Sequence, residues 1–351
     1  MFKKICFAYP WATAGGCERV FLNRAVELCR NFPELKIDMF FKEDLGGVSL
    51  LRDFLVAHCI EARVSVKLCY EGPYDCVFAI DFPEIVKYSG RDRVIWECHT
   101  PYKENRVYLK TLNIADSLIL FPSETFRNTI LQEIPSLPPE KSVVLQNFTL
   151  RSEGDACVPS FGGWRRRPIL FFGRMDNMKD PITLLKAYKE MQKKGRGDEF
   201  FLLFVGGKTD AVDMHHQLRK HGLVGHTILL PPVPFAKTDV FLEMVSRQGG
   251  VFVSPSHGES YGFSAAEALT HGIPSALTDI LEHRRLIAPY DEECVFPVGD
   301  YSRLADLILV LADDYEGWRG RMFATAAASS QGQFMRQFKM IMSRLGVLCA
   351  E

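Results

Sequence analysis

The sequence of 351 residues lacks several features that would place it at once in a protein class. No stretch approaches the roughly 18 apolar residues that a transmembrane helix needs, and the apolar run at the N-terminus is too short for a signal peptide. The formal net charge is -1, so bulk electrostatics give no reason to expect a nucleic-acid partner. We therefore predict a cytoplasmic protein. Basic clusters such as residues 165–167 leave peripheral contact with the inner face of a membrane open.

Metal and disulfide signatures are also lacking. The ten cysteines form no C-x-x-C pair, and no histidine stands at zinc-ligand spacing from them. Several, such as Cys6 and Cys98, fall in apolar runs, where a free thiol serves as a small core residue. No D-x-D motif occurs, which removes the usual carboxylate clamp for a metal-bound diphosphate. The sequence therefore predicts no metal and no other cofactor.

The chain does contain a regular alternation of short apolar runs and helical patterns. Continuous apolar strands that alternate with helices predict a parallel sheet covered on both faces. The strand candidates of the first half are KICFAYP, KIDMFF, YDCVFAID, RVIWECHT, SLILFPS and VVLQNF, and its helix candidates are GCERVFLNRAVELCRNF, VYLKTLNIA and ETFRNTILQEI.

A polar, glycine-rich and basic stretch near residues 151–167 interrupts this alternation, which then restarts. PILFFG, FFLLFVGG, TILLPPV and GGVFVSPS are strand candidates, and DPITLLKAYKEMQKKG is a helix with Asp180 at its N-cap. We predict an α/β protein of two doubly wound, Rossmann-like domains that face a cleft. The predicted domains are residues 1–155 and residues 156–330, followed by a lone amphipathic helix in residues 331–351.

Ligands of such sheets bind at the carboxyl ends of strands, so the loops that follow strands are the first places to examine. WATAGGCER (11–19) places Gly15 and Gly16 between the first strand and the first helix. Glycines let a backbone approach a ligand, and the helix N-terminus after them favours an anion. A tight turn without a ligand explains the pair equally well.

FFGRMDNMKDP (171–181) is the second such loop. Gly173 follows a strand, and Arg174 and Lys179 stand in one short segment. Two cations at the carboxyl end of a strand suit a diphosphate. Surface pairing with Asp176 or Asp180 is the alternative.

The third loop leads into SPSHGESYGFSAAEALTHGIPSA (254–276), in which Glu259 and Glu267 stand eight residues apart. We predict a helix from near Gly262 to Gly272, so that Glu259 precedes the helix and Glu267 lies within it. Eight helical residues span roughly 12 Å, whereas the carboxylates of retaining and inverting glycosidases lie about 5 Å and roughly 6.5–9.5 Å apart. The pair therefore suits the two ends of a sugar-diphosphate-nucleoside better than acid and base work on one bond. A capping carboxylate and a surface glutamate are the alternative.

ESYGFSAAE fits the E-x7-E pattern of retaining glycosyltransferases, and its setting resembles the signature of glycosyltransferase family 4. FFGRMDNMKD resembles the family's G-R-L-x-x-x-K loop, and AGGCER resembles its N-terminal Gly-Gly loop. FPSETFRN (121–128) and ECHTPY (97–102) are similar to further strand ends of its first domain. The resemblance covers nearly the whole chain in order and implies a GT-B fold, with the last helix crossing back to the N-terminal domain.

The resemblance also implies roles for individual residues. Arg174 and Lys179 would neutralise the donor diphosphate as it leaves. Glu259 would bind the hydroxyls of the transferred sugar, and His99 would line its reacting face. Glu267 would hold the ribose, and the backbone around Tyr261 would contact phosphate. The donor-binding set implied in this way is Gly15, Gly16, Gly173, Ser260, Tyr261, Gly262, Phe263 and Glu267.

The sequence is thus interpreted as a retaining, metal-independent hexosyltransferase with a nucleotide-sugar donor and a glycan or lipid-linked acceptor. A sugar-nucleotide epimerase or hydrolase on the same fold is one alternative, and a sugar-nucleotide-binding protein without turnover is another. One segment departs from the family pattern. Where the family often has Gly-Gly-x-x-Glu after a Thr-Asp pair, this chain has ILEHRR (280–285).

Overall fold

A computed structural model describes residues 3–112, 114, 117–151, 165–327 and 331–347 of the chain. The chain divides into two compact units. The first comprises Met1–Leu150 and Ser330–Glu351, and the second comprises Arg151–Ser329. Most of the basic stretch predicted as the domain boundary, residues 152–164, lies outside the described residues.

The first unit is built on a parallel sheet. Its strands are β1 (Lys4–Ala12), β2 (Lys36–Asp44), β3 (Val64–Lys67), β4 (Cys76–Ile80), β5 (Val94–Glu97), β6 (Ile119–Phe121) and β7 (Ser142–Val144). They lie in the order β3-β2-β1-β4-β5-β6-β7, so the chain order reverses between β1 and β4. Every residue of β4 is buried, as expected for a strand covered on both faces. The predicted doubly wound sheet is confirmed for this unit.

Helices connect these strands. They are α1 (Gly16–Asn31), α2 (Val48–Ala57), α3 (Val86–Ser89) and α4 (Glu124–Glu133), with 3-10 helices at Pro83–Ile85, Lys103–Lys110 and Pro139–Lys141. The helix predicted for VYLKTLNIA was wrong in type and extent, because the 3-10 helix ends at Lys110; Asn113 and Ala115 of that segment lie outside the described residues. Neither α2 nor β3 was among the predicted elements.

The second unit repeats the architecture. Its strands are β8 (Arg167–Phe172), β9 (Phe200–Val205), β10 (Thr227–Leu230), β11 (Val251–Ser254), β12 (Ser275–Thr278) and β13 (Val295–Phe296). The parallel sheet has the order β10-β9-β8-β11-β12-β13, with the reversal between β8 and β11. Every residue of β9, β11 and β12 is buried, which places the core of the unit around these strands.

The helices of the second unit cover this sheet. They are α5 (Pro181–Lys193), α6 (Met214–His221), α7 (Thr238–Arg247), α8 (Phe263–Thr270), α9 (Leu281–Ile287), α10 (Asp291–Cys294), α11 (Tyr301–Asp313) and α12 (Tyr315–Ala327), with 3-10 helices at Gly197–Glu199, Val224–His226 and Phe235–Lys237. α5 begins as predicted: the amide of Thr183 donates to the Asp180 side chain (3.2 Å), and Pro181 occupies the first position.

The last helix, α13 (Gln331–Arg344), packs within the first unit. The ring of Phe338 stacks on Phe78 (5.9 Å between centroids), and the Gln146 amide donates to the side chain of Gln337 (2.8 Å). The return of the final helix to the N-terminal domain, which the resemblance implied, is therefore observed.

The described cysteines are all free, and five of them are buried: Cys6, Cys29, Cys76, Cys98 and Cys294. Cys157 and Cys349 lie outside the described residues. Within the part of the chain that the structure describes, no helix combines the length and apolar character needed to cross a membrane.

Candidate active site

The reversal of strand order in the second unit brings together the loops that follow β8 and β11. Lys179 comes from the first loop and Glu259 from the second, and the Lys179 Nζ lies 2.5 Å from a carboxylate oxygen of Glu259. The His257 amide donates to the Met178 carbonyl (2.8 Å) and ties the loops to each other. The side chains of Lys179 and Glu259 remain 22% and 12% exposed. This is the position at which open α/β sheets bind ligands.

The loop before α5 orients Lys179 through Asp176. The Asp176 carboxylate accepts the Lys179 amide (2.9 Å), and its carbonyl accepts the Asp180 amide (3.0 Å). Arg174 behaves differently, because it pairs with Asp176 at 3.2 Å while its side chain stays 56% exposed. Of the two cations predicted in this loop, Lys179 faces Glu259, and Arg174 makes the surface pairing considered as the alternative.

Gly173 lies at a close approach of two backbones. Its amide donates to the Val205 carbonyl (2.9 Å), which extends the pairing of β8 with β9 by one residue. A Cβ on Gly206 would lie 2.0 Å from the Gly173 carbonyl oxygen, and Gly206 has a φ of +145°. The glycine at 206 is therefore required by the packing of the loop that carries Arg174.

Glu259 is held ionised by its neighbours. Burial alone would raise the pKa of this carboxyl, but the charge of the Lys179 ammonium, together with hydrogen bonds from Lys179 and Ser256, outweighs burial and leaves the pKa below its ordinary value. Ser256 is itself buried and lies 3.1 Å, oxygen to oxygen, from the buried Ser254. The carboxylate thus has a cation on one side and a buried hydroxyl on the other.

His283 contacts the Ser254 hydroxyl and was not predicted as part of the site. It is fully buried, its Nδ1 lies 3.1 Å from the Thr278 carbonyl, and its Nε2 lies 3.3 Å from the Ser254 hydroxyl. A carbonyl can only accept, so Nδ1 carries the proton and Nε2 accepts. Burial lowers the pKa of His283 to about 4, although the negative charge of Glu259 opposes this effect. The imidazole is therefore neutral at physiological pH.

The helix that carries Glu267 begins later than the spacing estimate assumed. Gly262 adopts a left-handed φ of +85° and precedes Phe263, the first residue of α8, so residues 259–262 form a loop. The estimate of roughly 12 Å between Glu259 and Glu267 assumed eight helical residues, and this assumption was wrong. The helical segment from Phe263 to Glu267 rises only about 6 Å. Glu267 lies in α8, where its carbonyl accepts the His271 amide (3.3 Å).

In the first unit, Gly15 and Gly16 lie where the resemblance expected them, at the start of α1. Gly15 is the N-cap residue with an extended backbone, and α1 begins at Gly16. The buried Glu18 folds back on the preceding loop and accepts from the Thr13 amide (2.5 Å) and hydroxyl (2.6 Å). Burial raises the pKa of Glu18. A carboxylate therefore already occupies part of the helix N-terminus that was considered for an anion.

His99 belongs to a buried ionic network. Arg24 binds Glu97 with both terminal nitrogens (2.6 and 2.9 Å), and the His99 Nε2 lies 3.0 Å from the same carboxylate. All three residues are buried. Burial opposes ionisation of Glu97, but the charges of Arg24 and His99 lower its pKa to about 2.

Asp81 was missed by the sequence analysis. It follows β4 directly, beside the reversal of strand order in the first sheet, and has a left-handed φ of +44°. Its carboxylate accepts the His99 amide (3.1 and 3.2 Å) and the Tyr108 hydroxyl (2.9 Å). Burial raises the pKa of Asp81 to about 6, despite the lowering effect of His99. The sequence feature that could have predicted it is the aspartate at the carboxyl end of the strand segment YDCVFAID.

Among the described residues, no three or more histidine, cysteine, aspartate or glutamate side chains are grouped so that they could hold a metal ion.

Residues 165–323 match the family described as glycosyl transferases group 1. The match lies in the second unit and covers less than half of the chain. The matched segment contains both loops of the candidate site, from Arg174 and Lys179 to Glu259 and Glu267. The family recognition drawn from the E-x7-E segment is therefore confirmed.

Two curated glycosyltransferase relatives show how far the sequence similarity extends. D-inositol 3-phosphate glycosyltransferase of Paenarthrobacter aurescens is 30% identical over 167 residues, which is 46% of this chain and 40% of that protein. Probable sucrose-phosphate synthase 2 of Arabidopsis thaliana is 24% identical over 180 residues, which is 45% of this chain and 16% of that protein. The similarity thus spans less than half the length of either relative.

Similarity in structure extends over nearly the whole chain. The crystal structure of Anabaena HepE in complex with UDP-glucose superimposes with a TM-score of 0.75 at 16% sequence identity, covering 98% of this chain and 100% of that one. Sucrose-phosphate synthase from Thermosynechococcus elongatus gives a TM-score of 0.70 at 14% identity, covering 98% and 99%. The predicted GT-B fold is confirmed.

Proposed function

We propose that this protein is a retaining hexosyltransferase, which moves a hexose from a nucleotide-diphosphate sugar to a hydroxyl of a glycan or lipid-linked acceptor. The observation that carries the proposal is the 2.5 Å contact between Lys179 and Glu259 at the strand-order reversal of the second unit. Because both groups of this ion pair are partly exposed, they can move apart and bind different parts of one donor molecule. The ammonium would take the diphosphate and the carboxylate would take the sugar hydroxyls.

In this proposal the leaving diphosphate is neutralised by Lys179, with Arg174 as the more exposed second cation. Negative charge grows on the diphosphate as the glycosidic bond breaks, so a fixed cation lowers the barrier more than it strengthens ground-state binding. Glu259, kept ionised by its surroundings, would bind the transferred sugar, and Glu267 would hold the ribose. His99 would line the reacting face of the transferred sugar, and Gly15 and Gly16 would close over the donor and the acceptor.

Binding of UDP-glucose by HepE makes UDP-sugars the first donors to test, without fixing the base. We also propose that the protein acts in polysaccharide or glycoconjugate synthesis, in the cytoplasm, with peripheral membrane contact where the acceptor is lipid-linked. The side chains of Lys179 and Arg174, rather than a metal ion, would neutralise the diphosphate. Transfer is therefore proposed to be metal-independent.

The test is turnover of a panel of UDP- and GDP-sugars by the full chain, with and without glycan and lipid-linked acceptors. Nucleoside diphosphate release that depends on acceptor, with the donor's anomeric configuration kept in the product, supports the proposal. The rate in excess EDTA should match that with added magnesium. Release or epimerisation without acceptor would favour a hydrolase or an epimerase, and tight donor binding without turnover would favour a binding protein.

A further inference from the structure

The segment that departs from the family pattern, ILEHRR, forms most of α9, and this helix packs against the loop of residues 259–262. A Cβ on Gly262 would lie 2.8 Å from a methyl carbon of Leu286 and 3.8 Å from the His283 ring. Gly262 is buried and has a φ of +85°. The left-handed backbone and the close packing together require glycine at this position.

Arg285 makes the polar contact between α9 and this loop. One terminal nitrogen donates to the Tyr261 carbonyl (3.3 Å), and the guanidinium lies over the Tyr261 ring, 4.9 Å from its centroid. The Arg285 Nε in turn lies 3.1 Å from the carboxylate of Glu282, whose side chain is 5% exposed. The fork of the guanidinium therefore binds a buried carboxylate and a backbone carbonyl at once, which a lysine cannot do in the same way.

Holding the Tyr261 carbonyl also fixes the next amide. A trans peptide is planar, so its C=O and the following N–H point in opposite directions. With the carbonyl of Tyr261 turned towards Arg285, the Gly262 N–H points away from α9. In the described part of the chain, no backbone carbonyl accepts a hydrogen bond from this N–H, and buried amides rarely lack a partner.

We propose that Arg285 is a positioning residue that orients the Gly262 amide to bind the diphosphate of the donor. The inference rests on the proposed function and deepens it, since it assigns a task to the segment that departs from the family pattern. The amide stands immediately before α8, whose N-terminus adds to the attraction for an anion. Arg285 itself need not touch the nucleotide.

The test is calorimetric titration of UDP, GDP and uridine into the wild-type chain and three variants. Arg285→Met removes the guanidinium that donates the hydrogen bond to the Tyr261 carbonyl. Arg285→Lys keeps the positive charge but lacks the forked guanidinium. Arg284→Met is the matched control, because Arg284 lies on the same helix but pairs with Asp279, Asp291 and Glu292 instead.

We expect Arg285→Met to weaken binding of the diphosphate about tenfold or more, as for loss of one hydrogen bond to a charged group, while uridine binding stays unchanged. Arg285→Lys should weaken it less, and Arg284→Met should bind as wild type does. Equal loss of UDP and uridine, or wild-type diphosphate affinity in both Arg285 variants, would overturn the inference alone. Failure of the wild type to bind either diphosphate would instead overturn the proposed function, and the inference with it.

Discussion

Each unit contains an ion pair with a carboxylate at or after the end of a strand, but the two pairs are buried to different extents. In the first unit, the side chains of Arg24 and Glu97 are 2% and 0% exposed. In the second, those of Lys179 and Glu259 are 22% and 12% exposed. A buried pair that loses a partner pays a large desolvation cost, whereas a partly exposed pair can exchange one partner for a ligand. The first network therefore stabilises the fold around His99, whereas the second leaves its side chains partly accessible to a ligand.

The largest effect should follow from breaking the buried pair. We expect Glu97→Gln to lower the free energy of unfolding by about 3–5 kcal/mol, because it leaves the Arg24 guanidinium buried without a counter-charge. Denaturant unfolding of the full chain measures the change. Glu124→Gln breaks the exposed pair with Arg127 in the same unit and should cost about 1 kcal/mol or less. Similar costs for the two variants would remove the distinction between the networks.

The exposed pair should instead matter for catalysis. We expect Lys179→Ala to lower kcat roughly 100-fold, because the cation acts on charge that develops in the transition state. Steady-state kinetics with the accepted donor and acceptor measure it. Lys193→Ala, in the exposed pair with Glu190 on α5, is the control and should leave kcat unchanged. A raised donor KM with normal kcat would assign Lys179 to ground-state binding.

Much of the second unit could be predicted from sequence because its signals are local. The apolar strand followed by G-R and K-D, and the E-x7-E segment with Gly262, place each loop after its strand. The contact between Lys179 and Glu259 joins residues 80 positions apart and needed the strand order. That order puts β8 next to β11 although two strands lie between them in sequence.

The residues that were not predicted owe their roles to the side chains and backbone around them rather than to a recognisable sequence pattern. His283 and Arg285 fall in a segment that reads only as a departure from a family pattern, and their partners Ser254 and Tyr261 lie 29 and 24 positions away. Asp81 reads as the polar end of a strand. Its raised pKa comes from burial, which no local pattern reports.

A smaller effect concerns the pH dependence of stability in the first unit. The pKa of Asp81 is about 6 in the folded chain, above the ordinary value of 3.8, so the folded state binds more protons between these values. Stability from this group is present at low pH and is lost as the pH rises from about 4 to 6. Asp81→Asn should remove this loss, of the order of 1 kcal/mol after allowance for partial exposure.

Thermal unfolding at pH 4.5 and pH 7.5 measures the Asp81 effect. The gap in Tm between variant and wild type should shift in favour of the variant at the higher pH. Glu97 acts in the opposite sense, because its lowered pKa gives stability that is lost only as the pH falls from about 4 towards 2. A gap that does not change with pH would show that Asp81 is ionised alike in both states.

We propose that the two glutamates of the E-x7-E segment hold different parts of one donor. Calorimetric titration of UDP or GDP, whichever the wild type binds, into Glu259→Ala and Glu267→Ala tests it most directly, after both variants are shown to be folded. Contacts that are equal in ground and transition states change binding, and those that strengthen in the transition state change kcat. We expect near-normal diphosphate binding with depressed kcat for Glu259→Ala, and weakened binding for Glu267→Ala. Diphosphate binding lost in Glu259→Ala but kept in Glu267→Ala would contradict it.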